Sequence, residues 1–161
     1  MARVECVVDV PIDIVSAFAV SQTTGALRRQ WDPFIRRQYL LDGATVPGAG
    51  VRTFTKARLG PKMVSQYTSF RPPDQVGMKM VEGPWFFERF GGGWSFSAID
   101  EHTTRATWRY TFSVRPPCLS FVAVPFGRWL LDREIRRRID AFARACTDPD
   151  VVRAAPRFER D

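Results

Sequence analysis

TTRATWRYTFSV (residues 103–114), followed beyond Pro116 and Pro117 by LDREIRRRIDAF (residues 131–142), places two different hydrophobic periods side by side. In the first, Thr104, Ala106, Trp108, Tyr110, Phe112 and Val114 share one face, while Thr103, Arg105, Arg109, Thr111 and Ser113 share the other. That period of two describes a strand with one face on a core and one in water. In the second, Leu131, Ile135, Ile139, Phe142 and Cys146 recur at helical spacing. The opposite helix face carries the acid-before-base pairs Asp132/Arg136, Glu134/Arg138 and Asp140/Arg144 at i, i+4, an arrangement that supports a solvated helix face. A helix running from Phe126 to Cys146 is about 30 Å long and therefore able to cover a sheet from end to end.

Working outward, the remaining sequence supplies that sheet. Val4 to Val10 alternate as a half-buried strand ended by Pro11, and Ile12, Val15, Phe18 and Ala19 then mark a short helix that stops near Gly25. A second short helix reaches Trp31 and breaks at Asp32-Pro33. Strands are predicted at Phe34–Leu41, Val51–Arg58, Lys62–Phe70, Gln75–Glu82, Gly93–Asp100 and Thr103–Val114. Between them lie Asp42-Gly43, Pro47-Gly48-Ala49-Gly50, Leu59-Gly60-Pro61, Arg71-Pro72-Pro73-Asp74 and Glu101-His102, connections short enough to require antiparallel neighbours. The predicted class is α+β, a seven-stranded curved antiparallel sheet with two short helices and a long C-terminal helix. One domain spans 1–147, and a loosely held tail is expected over 148–161, beyond Asp148-Pro149. Gly91-Gly92-Gly93 precedes a strand and reads as a device for bending a sheet; it lacks the strand-to-helix setting of a dinucleotide loop.

Composition narrows the function classes. A chain of 161 residues with 45% hydrophobic and 25% charged residues builds one core and is neither disordered nor fibrous. Thirteen Phe, five Trp and three Tyr are more rings than a small core fills without gaps, which points toward a cavity. The start, Met1-Ala2-Arg3-Val4-Glu5, lacks the apolar run of a secretory signal, and the charge-free stretch 116–127 is too short to span a bilayer, so a cytoplasmic location is expected. Cys6, Cys118 and Cys146 form no C-x-x-C pair, and the single histidine, His102, falls in a hairpin turn. No disulfide framework, metal site or nucleophile triad is predicted, and no cofactor. The net charge of +7 is carried by arginines scattered along the chain, with two clusters, Arg28/Arg29/Arg36/Arg37 and Arg133/Arg136/Arg137/Arg138, the second read as a solvated helix face. This dispersal disfavours nucleic acid as the partner.

The order strand, two short helices, six strands and long helix resembles the helix-grip fold of the polyketide cyclase/dehydrase and lipid-transport superfamily, also called SRPBCC or START-like. The resemblance rests on Val10-Pro11, Trp31-Asp32-Pro33-Phe34, Gly50-Val51-Arg52 and Thr104-Arg105-Ala106-Thr107-Trp108, spread over Val4 to Cys146. The stretch Glu82-Gly83-Pro84-Trp85-Phe86-Phe87-Glu88-Arg89-Phe90 is similar to a bacterial subgroup of it. The resemblance implies a deep cavity between the concave sheet and the long helix, used by different members for lipids, sterols, polyketides or hormones.

Strand alternation sends Trp108, Tyr110 and Phe112, Trp94, Phe96 and Ala98, and Val76, Met78, Met80 and Glu82 toward that space. The predicted lining is Tyr67, Met78, Met80, Trp94, Phe96, Trp108 and Tyr110, with Phe121 near the mouth and Trp129 or Leu130 closing it. As a pattern this set equally suits a packed core; only the resemblance makes it hollow. The wall is expected to be almost uncharged. Arg52, Lys56 and Arg58 form a row that should face water, and an inward arginine would indicate an anionic ligand group. The leading expectation is binding or transport of a hydrophobic small molecule by a monomer or homodimer. An aromatase/cyclase- or dehydrase-type enzyme using Tyr67, Tyr110 and Glu82 is the first alternative, and a basic surface for nucleic acid or anionic membrane the second. Trp85, Phe86 and Phe87, if exposed, would form an apolar patch able to self-associate.

Overall fold

Hydrogen-bond pairing joins the two ends of the sequence pattern. In the computed structural model, which describes residues 1–158, strand β1 (Ala2–Val10) lies antiparallel beside β7 (Thr103–Val114) in unbroken register from Ala2 opposite Phe112 to Val10 opposite Thr104. The other strands are β2 (Ile35–Leu40), β3 (Arg52–Ala57), β4 (Lys62–Arg71), β5 (Gln75–Glu82) and β6 (Phe87–Asp100). Each pairs antiparallel with its sequence neighbour, giving the order β1-β7-β6-β5-β4-β3-β2. Consecutive strands β1 and β2 are thus opposite edges of a single sheet. The chain crosses between them through α1 (Ile14–Ser21) and α2 (Gly25–Trp31). Asp13 opens α1 by accepting from the Ser16 N–H at 2.9 Å, and Gly25, at φ +59°, supplies the left-handed residue that turns α1 into α2. A short 3₁₀ turn (Pro117–Leu119) leads into α3 (Ser120–Ala145), which packs against β1, β7 and α2. The class predicted from sequence is the one observed.

Curvature comes from two sources. Register shifts interrupt the pairing of β2 with β3, of β4 with β5 and of β6 with β7, and each adds a local bend. Gly91-Gly92-Gly93 lies within β6, which begins at Phe87, six residues earlier than the alternation predicts. The alternation is hidden there because Gly91 and Gly92 carry no side chains and a register shift between Phe87 and Arg89 breaks the period before them. A Cβ on Gly93 would overlap the Val76 carbonyl oxygen, and one on Gly92 the Arg109 carbonyl oxygen. Gly93→Ala is therefore expected to force β5 and β6 apart and to cost about 1–3 kcal/mol in urea unfolding. A loss below about 0.5 kcal/mol would mean that the strands part freely at this point.

Two further boundaries differ from expectation. Helix α3 starts six residues before Phe126 and contains Pro125. Its first half has no apolar stripe to announce it, because Phe121, Val122, Phe126, Trp129 and Leu130 are all exposed and burial begins at Ile135. The stretch expected to be a loose tail forms α4 (Pro149–Ala154), capped by Asp148, with Val151 and Ala155 buried in the core. Phe158 follows it and packs edge-on against Phe18 and Phe70. The core lies between the concave face and the second half of α3, around Phe18, Phe112, Ile135, Ile139 and Phe142.

Candidate functional site

Inner-face residues of β3 to β7 line a cavity of about 140 Å³ between the sheet, α2 and α3. Apolar cavities of about 150 Å³ admit a benzene ring, so the space accommodates one ring-sized group. Trp94 and Trp108 stack across the β6–β7 pair with ring centroids 4.2 Å apart, and Phe90 meets Tyr110 at 5.3 Å. Met63, Met78 and Met80, from β4 and β5, line the cavity as well. Their unbranched thioethers can change rotamer at low cost, which lets the cavity enlarge around an occupant. Thr53, Thr55 and Ser65 add hydroxyls on the β3–β4 side.

One end of the cavity is ionic. At the break that closes α2, Asp32 is wholly buried, as are all but small fractions of Arg28 and Arg138. Arg138 donates through Nε to Asp32 Oδ1 at 3.1 Å and through Nη2 to Oδ2 at 2.7 Å, while Arg28 donates through Nε to Oδ2 at 2.9 Å. The Phe34 N–H gives Asp32 Oδ1 a further bond at 3.1 Å, which fixes the start of β2. Arg138 Nη1 also donates to the Tyr110 hydroxyl at 2.6 Å. Aromatic faces cover both guanidiniums: Arg28 lies 4.3 Å from the Trp31 ring centre, and Arg138 lies 4.4 Å from Trp108 and 4.5 Å from Phe34.

This environment sets the titration of its members. Burial alone would raise the Asp32 carboxyl, but the charges of Arg138 and Arg28 overcome it and hold the group at about 2. Burial pulls the Arg28 guanidinium down against the attraction of Asp32, whereas in Arg138 the same burial is outweighed by Asp32 and Tyr110. Both are cations near neutrality. Burial pushes Tyr67 up to about 12 and also raises Tyr110, so each phenol keeps its proton near neutrality.

Of the residues predicted to line the pocket, Tyr67, Met78, Met80, Trp94, Trp108 and Tyr110 meet at this cavity. Phe96 does not; its ring packs behind the wall against Phe18 and Phe142. Phe121 and Trp129 are 76% and 56% exposed, because they stand on the outer face of the first half of α3, whose inner face carries the half-buried Ala123, Val124, Gly127 and Leu131, with Gly127 against the Phe112 ring. Trp85 and Phe86 are exposed as well, and Phe87 is half-buried against Phe90 and Phe112. Glu82 is exposed at the end of β5 and cannot act within the cavity. Arg52 faces outward and pairs with Asp42, as its strand row predicts.

The expected uncharged wall is corrected by Arg28 and Arg138, neither of which belongs to a solvated face. Glu134 does not pair with Arg138, which turns inward to Asp32 instead; of the three helix pairs only Asp132–Arg136 forms among the described residues. A signal for this was available: Arg138 stands on the same stripe as Leu131, Ile135 and Phe142, where a cation is out of place unless it has a buried partner. Among the described residues no three His, Cys, Asp or Glu side chains converge as metal ligands, and no helix is long and apolar enough to cross a membrane.

The same architecture recurs among solved structures at low identity. A START superfamily protein from Mycobacterium smegmatis superposes with a TM-score of 0.75 at 14% identity, covering 90% of this chain and 97% of its own. The Zhui aromatase/cyclase from Streptomyces sp. R1128 gives 0.68 at 16% identity over 91% and 93% of the two chains. A conserved protein from Geobacillus kaustophilus gives 0.69 at 10% identity over 98% and 100%. No curated protein matches the sequence significantly. Residues 1–147 match the family described as polyketide cyclase / dehydrase and lipid transport, and with the helix-grip sheet and its cavity in place, the chain belongs to that family.

Proposed function

We propose that the protein binds a hydrophobic small molecule, a lipid, a polyketide or a compound of similar character, in the cavity beneath α3. The observation that carries this reading is the lining itself: a stacked Trp94–Trp108 pair and three methionines border one cavity. A packed core would close such a gap with branched side chains. Because two tryptophans form the wall, their fluorescence reports occupancy directly. Titration with decan-1-ol or 4-phenylbutan-1-ol, below any micelle-forming concentration, is expected to give saturable quenching or a spectral shift, and a one-to-one complex in native mass spectrometry. Unsaturable, concentration-proportional changes with no complex would defeat the reading.

A second reading, an aromatase/cyclase- or dehydrase-type reaction, is favoured by the Tyr110 hydroxyl, held on the cavity wall by Arg138 Nη1. A guanidinium-polarised phenol is a suitable donor to a ketone oxygen that gains charge during enolisation. If the protein turns over a poly-β-ketone surrogate, Tyr110→Phe should lower that rate at least tenfold. Retention of the full rate in the folded variant would remove Tyr110 from the chemistry. The basic surface has weaker support, since Arg105, Arg109 and Arg52 are consumed by pairs with Asp9, Glu5 and Asp42.

A further inference from the structure

The ionic end of the cavity does not balance. Arg28 and Arg138 contribute two positive charges, Asp32 one negative, and all three side chains are at most 10% exposed. Asp32 has no capacity left, because its two oxygens already accept four hydrogen bonds, two of them from Arg138. Arg138 also reaches Tyr110, so every nitrogen of its guanidinium has a partner. Arg28 is different. Its Nε is bound to Asp32 and its Nη1 to the Ser21 carbonyl, while Nη2 has no acceptor among the described residues. Tyr67, only 5% exposed, lines the same cavity within reach of the Arg28 charge, and its hydroxyl likewise makes no hydrogen bond among the described residues. Lys79 and Glu134 also line the cavity; Lys79 is exposed, and the half-buried Glu134 acts on Arg138 without pairing with it, from a position solvent reaches and screens, so no second buried carboxylate offsets the excess among the described residues.

We infer that the ligand carries a carboxylate, seated between the Arg28 Nη2 and Tyr67 hydroxyl donors, with its apolar body along the Trp94–Trp108 wall. The charge count favours a monoanion, which brings the buried set to neutrality; a phosphate dianion would overshoot it. A neutral carbonyl would occupy the two donors but leave the net positive charge uncompensated in a low-dielectric site. Charge-assisted hydrogen bonds are roughly twice as strong as neutral ones, so the acid has the advantage over an alcohol with the same body. This inference rests on the binding function proposed above and specifies which class of molecule it serves.

The test compares probes of matched shape: decanoate, decan-1-ol and decylamine, and 4-phenylbutyrate, 4-phenylbutan-1-ol and 4-phenylbutylamine, each titrated by tryptophan fluorescence and calorimetry. In the unaltered protein the acids are expected to bind about 10-fold to 100-fold more tightly than the alcohols, with the amines weakest. Arg28→Gln and Tyr67→Phe should each reduce acid affinity about tenfold while leaving alcohol affinity within twofold. Arg28→Gln retains the Asp32–Arg138 pair and so keeps the remaining charges balanced; Tyr67→Phe removes a hydroxyl that has no partner. Either folded variant therefore suffices as the probe. Alcohols binding as tightly as acids, or acid affinity unchanged in both variants, would overturn the carboxylate site while the hydrophobic cavity stands. Binding by neither acids nor alcohols would overturn both.

Discussion

Asp32→Ala is expected to destabilise the fold by about 3–5 kcal/mol, the range for removing one partner from a buried ion pair. The substitution deletes the carboxylate between two buried guanidiniums, leaving them to repel each other with only neutral partners, the Ser21 carbonyl, the Tyr110 hydroxyl and aromatic faces, among the described residues. It also removes the acceptor that fixes the Phe34 N–H at the start of β2. For a chain of this length the corresponding fall in Tm is roughly 10 °C. Arg28→Gln should cost far less, below about 2 kcal/mol, since it leaves one cation facing one anion. If Asp32→Ala lost less than about 1 kcal/mol in urea unfolding, water would have to reach both arginines in the native state, and the cluster could not be a desolvated one.

The same residue gives the fold an acid limit. Asp32 titrates at about 2 in the folded protein against a reference of 3.8, so the folded state holds the deprotonated form more tightly than the unfolded chain does. Its contribution is therefore complete above the unfolded value, declines as pH falls below about 4, and is gone once pH has passed through about 2. At about 1.4 kcal/mol per pKa unit the contribution is about 2 kcal/mol. Asp9 and Asp42 are also held below their usual range, through hydrogen bonds from Arg105 and Arg52, but both are on the wet face, where solvent screens the effect. Comparing stability between pH 5 and pH 2 in the unaltered protein and Asp32→Asn isolates the buried share. The variant should lose the steepest part of the acid slope; an unchanged slope would assign it to the surface carboxylates.

Why the sheet was readable and the ionic cluster was not comes down to the range of the forces involved. The inward row of β7 from Thr104 to Phe112 is fixed by the pleat, which acts over two residues, and the buried row agrees with the alternation at every position. The strand order follows from short turns, which leave antiparallel neighbours little alternative. Arg138 reads as a member of a helical i, i+4 pair because Glu134 is local, yet its partner is Asp32, 106 residues away in sequence. No periodicity records a contact of that separation. The first six residues of β6 escape the pattern because two are glycines and a register shift between Phe87 and Arg89 breaks the period of the others. Phe121 at the mouth and Trp129 or Leu130 as its closure are expected because large rings tend to be covered; the first half of α3 instead turns its small residues, Ala123 and Gly127, toward the sheet, so its rings face outward.

Phe142→Ala is the second substitution expected to cost about 3–5 kcal/mol, the range for truncating a buried Phe. Phe142 is fully buried on the gripping half of α3, and its ring meets Trp94 at 4.6 Å, Trp31 at 6.0 Å and Phe96 at 6.4 Å. It therefore holds Trp94 from behind while Trp108 and the cavity hold it from the front. Truncation should open a void into which the Trp94 indole can retreat, loosening the stack. The void also lies beside Trp31, whose Nε1 donates to Thr23 Oγ1 and whose ring covers Arg28. Two readings follow from the one change: a loss of unfolding free energy, and a weaker near-ultraviolet circular dichroism signal from the coupled tryptophans. Phe142→Leu, which retains most of the volume, should cost less than about 1.5 kcal/mol and preserve most of that signal. A Phe142→Ala protein of unaltered stability would require the sheet to collapse fully onto α3, and the cavity wall would then be soft enough that ligand binding, not helix packing, fixes its shape.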